Sequence, residues 1–96
     1  MQNAEIIEIF ERYLTEDKKA SANTLSSYMR DIRKYCEYLD THTDATIVSA
    51  NEEDVGEYID YLRASGKSVA TVSRNIASLK CLYTHLCIKQ IVKVNP

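Results

Sequence analysis

Apolar residues recur at helical spacing in four stretches of this sequence. In the last stretch they follow one another at steps of four, three, four and three, as Val72, Ile76, Leu79, Tyr83 and Leu86. Steps of three and four keep side chains on one side of an α-helix. The pattern therefore predicts a helix from Val69 to about Cys87 that buries this stripe and exposes the opposite side.

Three earlier stretches show the same periodicity, which predicts helices over Ala4–Glu16, Ser21–Asp40 and Glu52–Ser65. Their apolar stripes are Ile6, Ile7, Phe10, Tyr13 and Leu14, then Leu25, Tyr28, Met29, Ile32, Tyr35, Cys36 and Leu39, and finally Val55, Tyr58, Ile59 and Leu62. Two glycines and one proline in 96 residues favour helices joined by short turns. The predicted fold class is all-α: a small four-helix bundle with a short C-terminal extension.

Two helix boundaries carry recognisable end signals. Gly66 can end the third helix in the left-handed conformation. Asn51 is predicted to cap the start of that helix, where the helix dipole favours the acids of Glu52–Asp54. Because capping accounts for these three acids, no metal site is predicted there.

One short signature occurs twice. Residues 21–26 and residues 68–73 both follow the pattern Ser-x-x-Thr-aliphatic-Ser, and lysine precedes each copy. A serine at the N-cap can accept a hydrogen bond from a backbone N–H of the first turn. Either copy is explained as a cap, whereas the pair together, with its lysines, also suits phosphate binding at two helix starts.

Charge alternates in sign along the chain, although the formal net charge is only −2. Residues 18–40 hold five bases and three acids, and residues 66–96 hold five bases and no acid. Residues 1–17 and 41–65 each hold one base, with five and six acids respectively. If the second and fourth helices share a face, that face is basic on an acidic molecule. Alternatively, the oppositely charged helices pair with each other.

Several functional classes lack support in the composition. No stretch has the length of a membrane span or the pattern of a signal peptide. The three cysteines, Cys36, Cys81 and Cys87, show no metal-ligand spacing, and they suggest reduced thiols in a cytoplasmic protein. No nucleophile–base pair, paired carboxylates or phosphate-cradling glycine loop is present. We therefore predict no catalytic residue, no metal, no cofactor and no membrane partner.

Three ordered segments resemble the tyrosine recombinases of the phage-integrase and Xer type. Residues 23–35 (NTLSSYMRDIRKY) are similar to that family's NTLxxYxxDLxxF helix, and residues 66–83 (GKSVATVSRNIASLKCLY) to its GxSxxTIxRxLSALRxFY helix. The closing Asn95-Pro96 resembles the NP that precedes the linker to the family's catalytic domain. The resemblance implies the N-terminal SAM-like core-binding domain over residues 1–94. Residues 95–96 would then start the linker to a catalytic domain absent here, so this fragment is not expected to cleave DNA.

In that family the second and fourth helices face the major groove of the core site, as half of a clamp around double-stranded DNA. Carried over by position, the implied DNA contacts are Asn23, Thr24, Ser27, Arg30, Lys34, Lys67, Ser68, Ala70, Thr71, Arg74 and Ser78. The resemblance also implies contacts with other recombinase protomers. The alternative function is a helical protein-interaction module that serves protomer assembly without touching DNA. DNA binding requires the cations of this set to lie clear of the acids of residues 52–60.

Overall fold

A computed structural model describes residues 2–93 of the chain. Within that range it contains four α-helices and no β-strand, which confirms the all-α prediction. The helices are α1 (Asn3–Arg12), α2 (Ala22–His42), α3 (Glu52–Ala64) and α4 (Val69–Ile88). A single π-helical turn, Tyr13–Asp17, continues α1. The predicted linker at Asn95-Pro96 lies outside the described residues.

The chain divides into two compact units, residues 1–47 and residues 48–96. In the first unit α1 packs on α2. The side chain of Asn3 accepts a hydrogen bond from the backbone N–H of Ile47 at 2.9 Å, which ties the segment after α2 back to the start of α1. The buried apolar residues of this unit are Ile6, Phe10, Leu14, Met29, Ile32, Tyr35, Leu39 and Ile47.

The turn between α1 and α2 follows from the π-helical geometry. Lys18 donates its backbone N–H to the carbonyl of Tyr13, five residues back, at 3.0 Å. Lys19 then takes the left-handed conformation, with φ at +51°. This conformation reverses the chain direction, and it places Lys18 and Lys19 in the turn shortly before α2 begins at Ala22.

In the second unit α3 packs on α4, and both ends of α3 match the predicted signals. Asn51 and Asp54 form a reciprocal capping box, with Asp54 N–H donating to Asn51 Oδ1 at 2.9 Å and Asn51 N–H to Asp54 Oδ2 at 3.0 Å. Gly66 has a φ of +80°, in the left-handed region. The buried apolar residues of this unit are Ala50, Tyr58, Ile59, Leu62, Val72, Leu79, Leu82, Tyr83, Leu86 and Val92.

Helix α4 is buried over a wider arc than its apolar stripe predicts. Four residues outside the stripe are also buried, namely Asn75, Ser78, Leu82 and His85. Two of them satisfy their polar groups within the helix, since the Asn75 amide donates to the Thr71 carbonyl at 2.9 Å and the Ser78 hydroxyl to the Arg74 carbonyl at 3.1 Å. Such back-bonding lets polar side chains enter a packed interior.

Candidate nucleic-acid interface

The repeated signature forms the same cap twice. At the start of α2, Thr24 donates its backbone N–H to Ser21 Oγ at 3.2 Å, and the Ser21 hydroxyl donates to Thr24 Oγ1 at 3.0 Å. At the start of α4, Thr71 and Ser68 make the same two bonds at 3.1 and 3.0 Å. The prediction that both copies are N-caps is therefore confirmed.

This cap leaves one hydroxyl proton available to a ligand at the start of each helix. In each copy the serine oxygen accepts the threonine amide and the serine proton goes to the threonine oxygen. Each pair of hydroxyls holds two protons and uses one of them in this bond, so one proton of each pair remains to donate to a ligand. Thr24 is exposed and Thr71 is half-buried, which puts both donors at the helix starts. At this end of α4, Ser68 and Thr71 together therefore offer one hydroxyl donor.

Replacing either cap serine with alanine is expected to lower the free energy of unfolding by about 1 kcal/mol. The reason is that the threonine amide loses its acceptor at the helix start. Chemical denaturation followed by the helical circular dichroism signal measures this change. Ser26→Ala and Ser73→Ala are matched controls, because both serines are exposed inside the same two helices. A cap variant no less stable than its control would contradict a stabilising role for that cap.

The predicted contact residues of α2 form one surface of the first unit. Asn23, Thr24, Arg30 and Lys34 are exposed, and Ser27 is half-buried. Residues three and four apart are neighbours on a helix surface. Arg30 and Lys34 form no ion pair with the described residues, in contrast to Arg33, whose guanidinium lies 4.0 Å from the Glu11 carboxylate.

The predicted contact residues of α4 divide into three groups in the second unit. Lys67, Ser68 and Ala70 are exposed, whereas Thr71 and Arg74 are half-buried. Ser78 is fully buried. The prediction that Ser78 lies on the contact surface is therefore wrong.

The exposed side of α4 is instead the stripe Ala70, Ser73, Ala77, Lys80 and Thr84, turned by about one residue from the predicted face. Sequence reasoning missed Ser73 and Lys80 as surface positions of this helix. The same helical spacing could have found them, because steps of three and four that start at Ala70, instead of Thr71, pass through Ser73 and Lys80. Lys67 precedes α4 and Lys80 lies within it. Neither lysine forms an ion pair with any described residue.

Other chemistry has little support in the described part of the chain. Burial, followed by the charge of Asp40, raises the pKa of the Cys36 thiol, which keeps it in its less reactive protonated form. The described residues contain no group of three or more His, Cys, Asp or Glu side chains placed to hold a metal ion. None of the described helices is both long enough and apolar enough to cross a membrane.

Comparison with known proteins identifies the family. The family described as phage integrase, N-terminal SAM-like domain, matches residues 7–90, and the chain therefore belongs to it. The chain is 36% identical over 91 residues to tyrosine recombinase XerD of Oceanobacillus iheyensis, which covers 94% of this chain and 31% of that protein. It is 34% identical over 83 residues to XerD of Listeria monocytogenes, covering 85% of this chain and 28% of the relative.

A third relative, tyrosine recombinase XerC of Roseiflexus castenholzii, is 30% identical over 92 residues, which are 96% of this chain and 29% of the relative. The chain thus spans about a third or less of each of these relatives. No solved structure matches the chain. The family resemblance inferred from the sequence is confirmed.

Proposed function

We propose that this chain is the core-site-binding module of a site-specific tyrosine recombinase, and that α2 and α4 contact the major groove during DNA integration or recombination. The observation that carries the proposal is the pairing of two features on the same two helices. Each begins with the same hydroxyl cap, and each has exposed cations that form no ion pair with the described residues, Arg30 and Lys34 on α2 and Lys67 beside α4. Helix N-termini and cations are the groups with which proteins hold phosphates.

The contacts divide by chemistry. Arg30, Lys34 and Lys67 suit phosphates by charge, and Thr24 and Thr71 suit them through their hydroxyl protons. Arg74 is the candidate for reading a base edge, because a guanidinium can bind guanine through two parallel hydrogen bonds. In this proposal the module contributes affinity for DNA and fixes the position of the protein along the duplex. It distinguishes few bases directly.

The rest of the reaction is assigned to residues outside this chain. The relatives compared above carry the name tyrosine recombinase, and each is about three times as long as the segment that matches this chain. We propose that the cleaving and rejoining residues belong to a further domain, and that several protomers act together on DNA in the cytoplasm. The chain itself binds DNA and does not cut it.

The test is a titration of the chain with a fluorescein-labelled DNA duplex at several salt concentrations, read by anisotropy. Three cations, Arg30, Lys34 and Lys67, are proposed to meet phosphates, and Arg74 is proposed to meet a base. If each of the three neutralises one phosphate, the logarithm of the association constant falls with the logarithm of salt at a slope of about −3. Binding is expected to be weak, since the chain is acidic overall, with a sequence pI of about 5.6.

The alternative function gives a different result in the same experiment. A chain that shows no salt-dependent affinity for the duplex, but self-associates in sedimentation, is a protomer-contact module. That outcome would contradict the proposed DNA contact through α2 and α4. A steep salt slope with a monomeric chain would contradict the alternative.

A further inference from the structure

A shallow groove lies where α3 ends and α4 begins, within the second unit. It is lined by two cations, a serine and three aliphatic side chains: Arg63, Lys67, Val69, Val72, Ser73 and Ile76. The left-handed Gly66 turns the chain sharply, and Lys67 donates its backbone N–H to the Leu62 carbonyl at 3.4 Å. This turn brings the two cations to the same groove although they belong to opposite sides of the turn.

Arg63 already has an acidic partner. Its Nη1 lies 3.6 Å from Oδ1 of Asp60, one turn earlier on α3. Both side chains are mostly exposed, at 62% for Arg63 and 78% for Asp60. An exposed pair of this kind contributes little, and a guanidinium has five N–H donors, so Arg63 can bind a stronger acceptor.

The surroundings of the groove favour a phosphate as that acceptor. No acidic residue follows Asp60 in the sequence, and the unpaired N–H groups at the start of α4 give this end of the helix a positive potential. Val69, at the first position of α4, is 84% exposed and forms an apolar wall beside the cations. Two cations next to an apolar wall suit the phosphate and the sugar of a DNA backbone.

We propose that Arg63 binds a DNA phosphate beside Lys67, and that Asp60 competes with this phosphate for the guanidinium. The inference rests on the proposed DNA-binding function and adds a contact on α3, outside the two helices assigned above. Asp60 thereby lowers the affinity for DNA by a constant factor, and the phosphate takes its place on the guanidinium in the complex.

The test compares single variants of the chain in the same duplex titration. Arg63→Gln is expected to lower DNA affinity about three- to tenfold and to flatten the salt slope by about one unit. Asp60→Asn is expected to raise the affinity about two- to threefold, because Arg63 no longer has a competing carboxylate. In a chain that already carries Arg63→Gln, adding Asp60→Asn should raise the DNA affinity by much less than in the wild type.

Two matched controls separate this contact from the general effect of charge. Lys89→Gln removes one exposed cation at the other end of α4, and Glu57→Gln removes one exposed acid of α3 that forms no ion pair with the described residues. If Arg63→Gln behaves as Lys89→Gln, or Asp60→Asn as Glu57→Gln, the proposal for Arg63 and Asp60 is overturned while DNA binding stands. A wild-type chain that fails to bind the duplex overturns the proposed function, and this contact with it.

Discussion

Ser78→Lys is expected to lower the free energy of unfolding by at least about 3 kcal/mol, a large part of the stability of a domain this small. The Ser78 side chain is fully buried, and its hydroxyl donates to the Arg74 carbonyl at 3.1 Å. A lysine at this position must place a longer chain and an ammonium group where the packing leaves no room. The free energy lost therefore combines overpacking with the burial of a charge.

The matched control is Ala77→Lys, one position earlier on the same helix. Ala77 is exposed, and lysine has nearly the helix propensity of alanine, so this variant should stay within about 0.5 kcal/mol of the wild type. Urea denaturation followed by the helical circular dichroism signal measures both variants. Ser78→Ala serves as a second reference, because it removes only the hydroxyl and leaves space. A Ser78→Lys chain as stable as Ala77→Lys would show that Ser78 faces solvent.

The features that the sequence predicts well depend on local interactions. Helix ranges follow from periodicity, and the caps follow from residues that contact their own first turn. Asn51 and Gly66 are examples, because a capping box and a left-handed turn need only a few neighbouring residues. The same holds for the repeated Ser-x-x-Thr caps of α2 and α4.

The features that the sequence misses depend on burial. Ser78 is predicted on the contact surface, and the polar Asn75 and His85 lie outside the apolar stripe of α4, although the structure buries all three. Asp31 is a similar case on α2, at 2% exposure within a segment otherwise rich in bases. Buried polar groups are tolerated when they are hydrogen-bonded or paired, and a hydropathy pattern does not contain that information.

The groove at the α3–α4 turn was also missed, for a related reason. Arg63 lies on the acidic helix, so a count of charge per helix hides it among the surrounding carboxylates. The structure places it in the same groove as Lys67. A residue on an acidic helix can therefore belong to a basic site, which the helix-by-helix charge pattern does not reveal.

The double variant Arg30→Glu with Lys67→Glu is expected to reduce DNA affinity roughly 30- to 150-fold at low salt. Each substitution removes one proposed phosphate contact and puts a negative charge in its place. Both residues are exposed and neither forms an ion pair with the described residues, so the fold should remain intact. Anisotropy titration with the labelled duplex measures the loss, and circular dichroism verifies the helical content.

The control for this variant has to reproduce its change in net charge. Arg12→Glu with Lys89→Glu changes the net charge by the same amount, and again reverses one exposed cation in each unit. If long-range repulsion by an acidic molecule were the whole effect, the two double variants would weaken binding equally. A loss at least tenfold greater for Arg30 and Lys67 would instead mean that local cations on α2 and before α4 meet the phosphates. Equal losses of affinity in the two double variants would contradict a contact of Arg30 and Lys67 with DNA, even if the wild-type chain binds the duplex tightly.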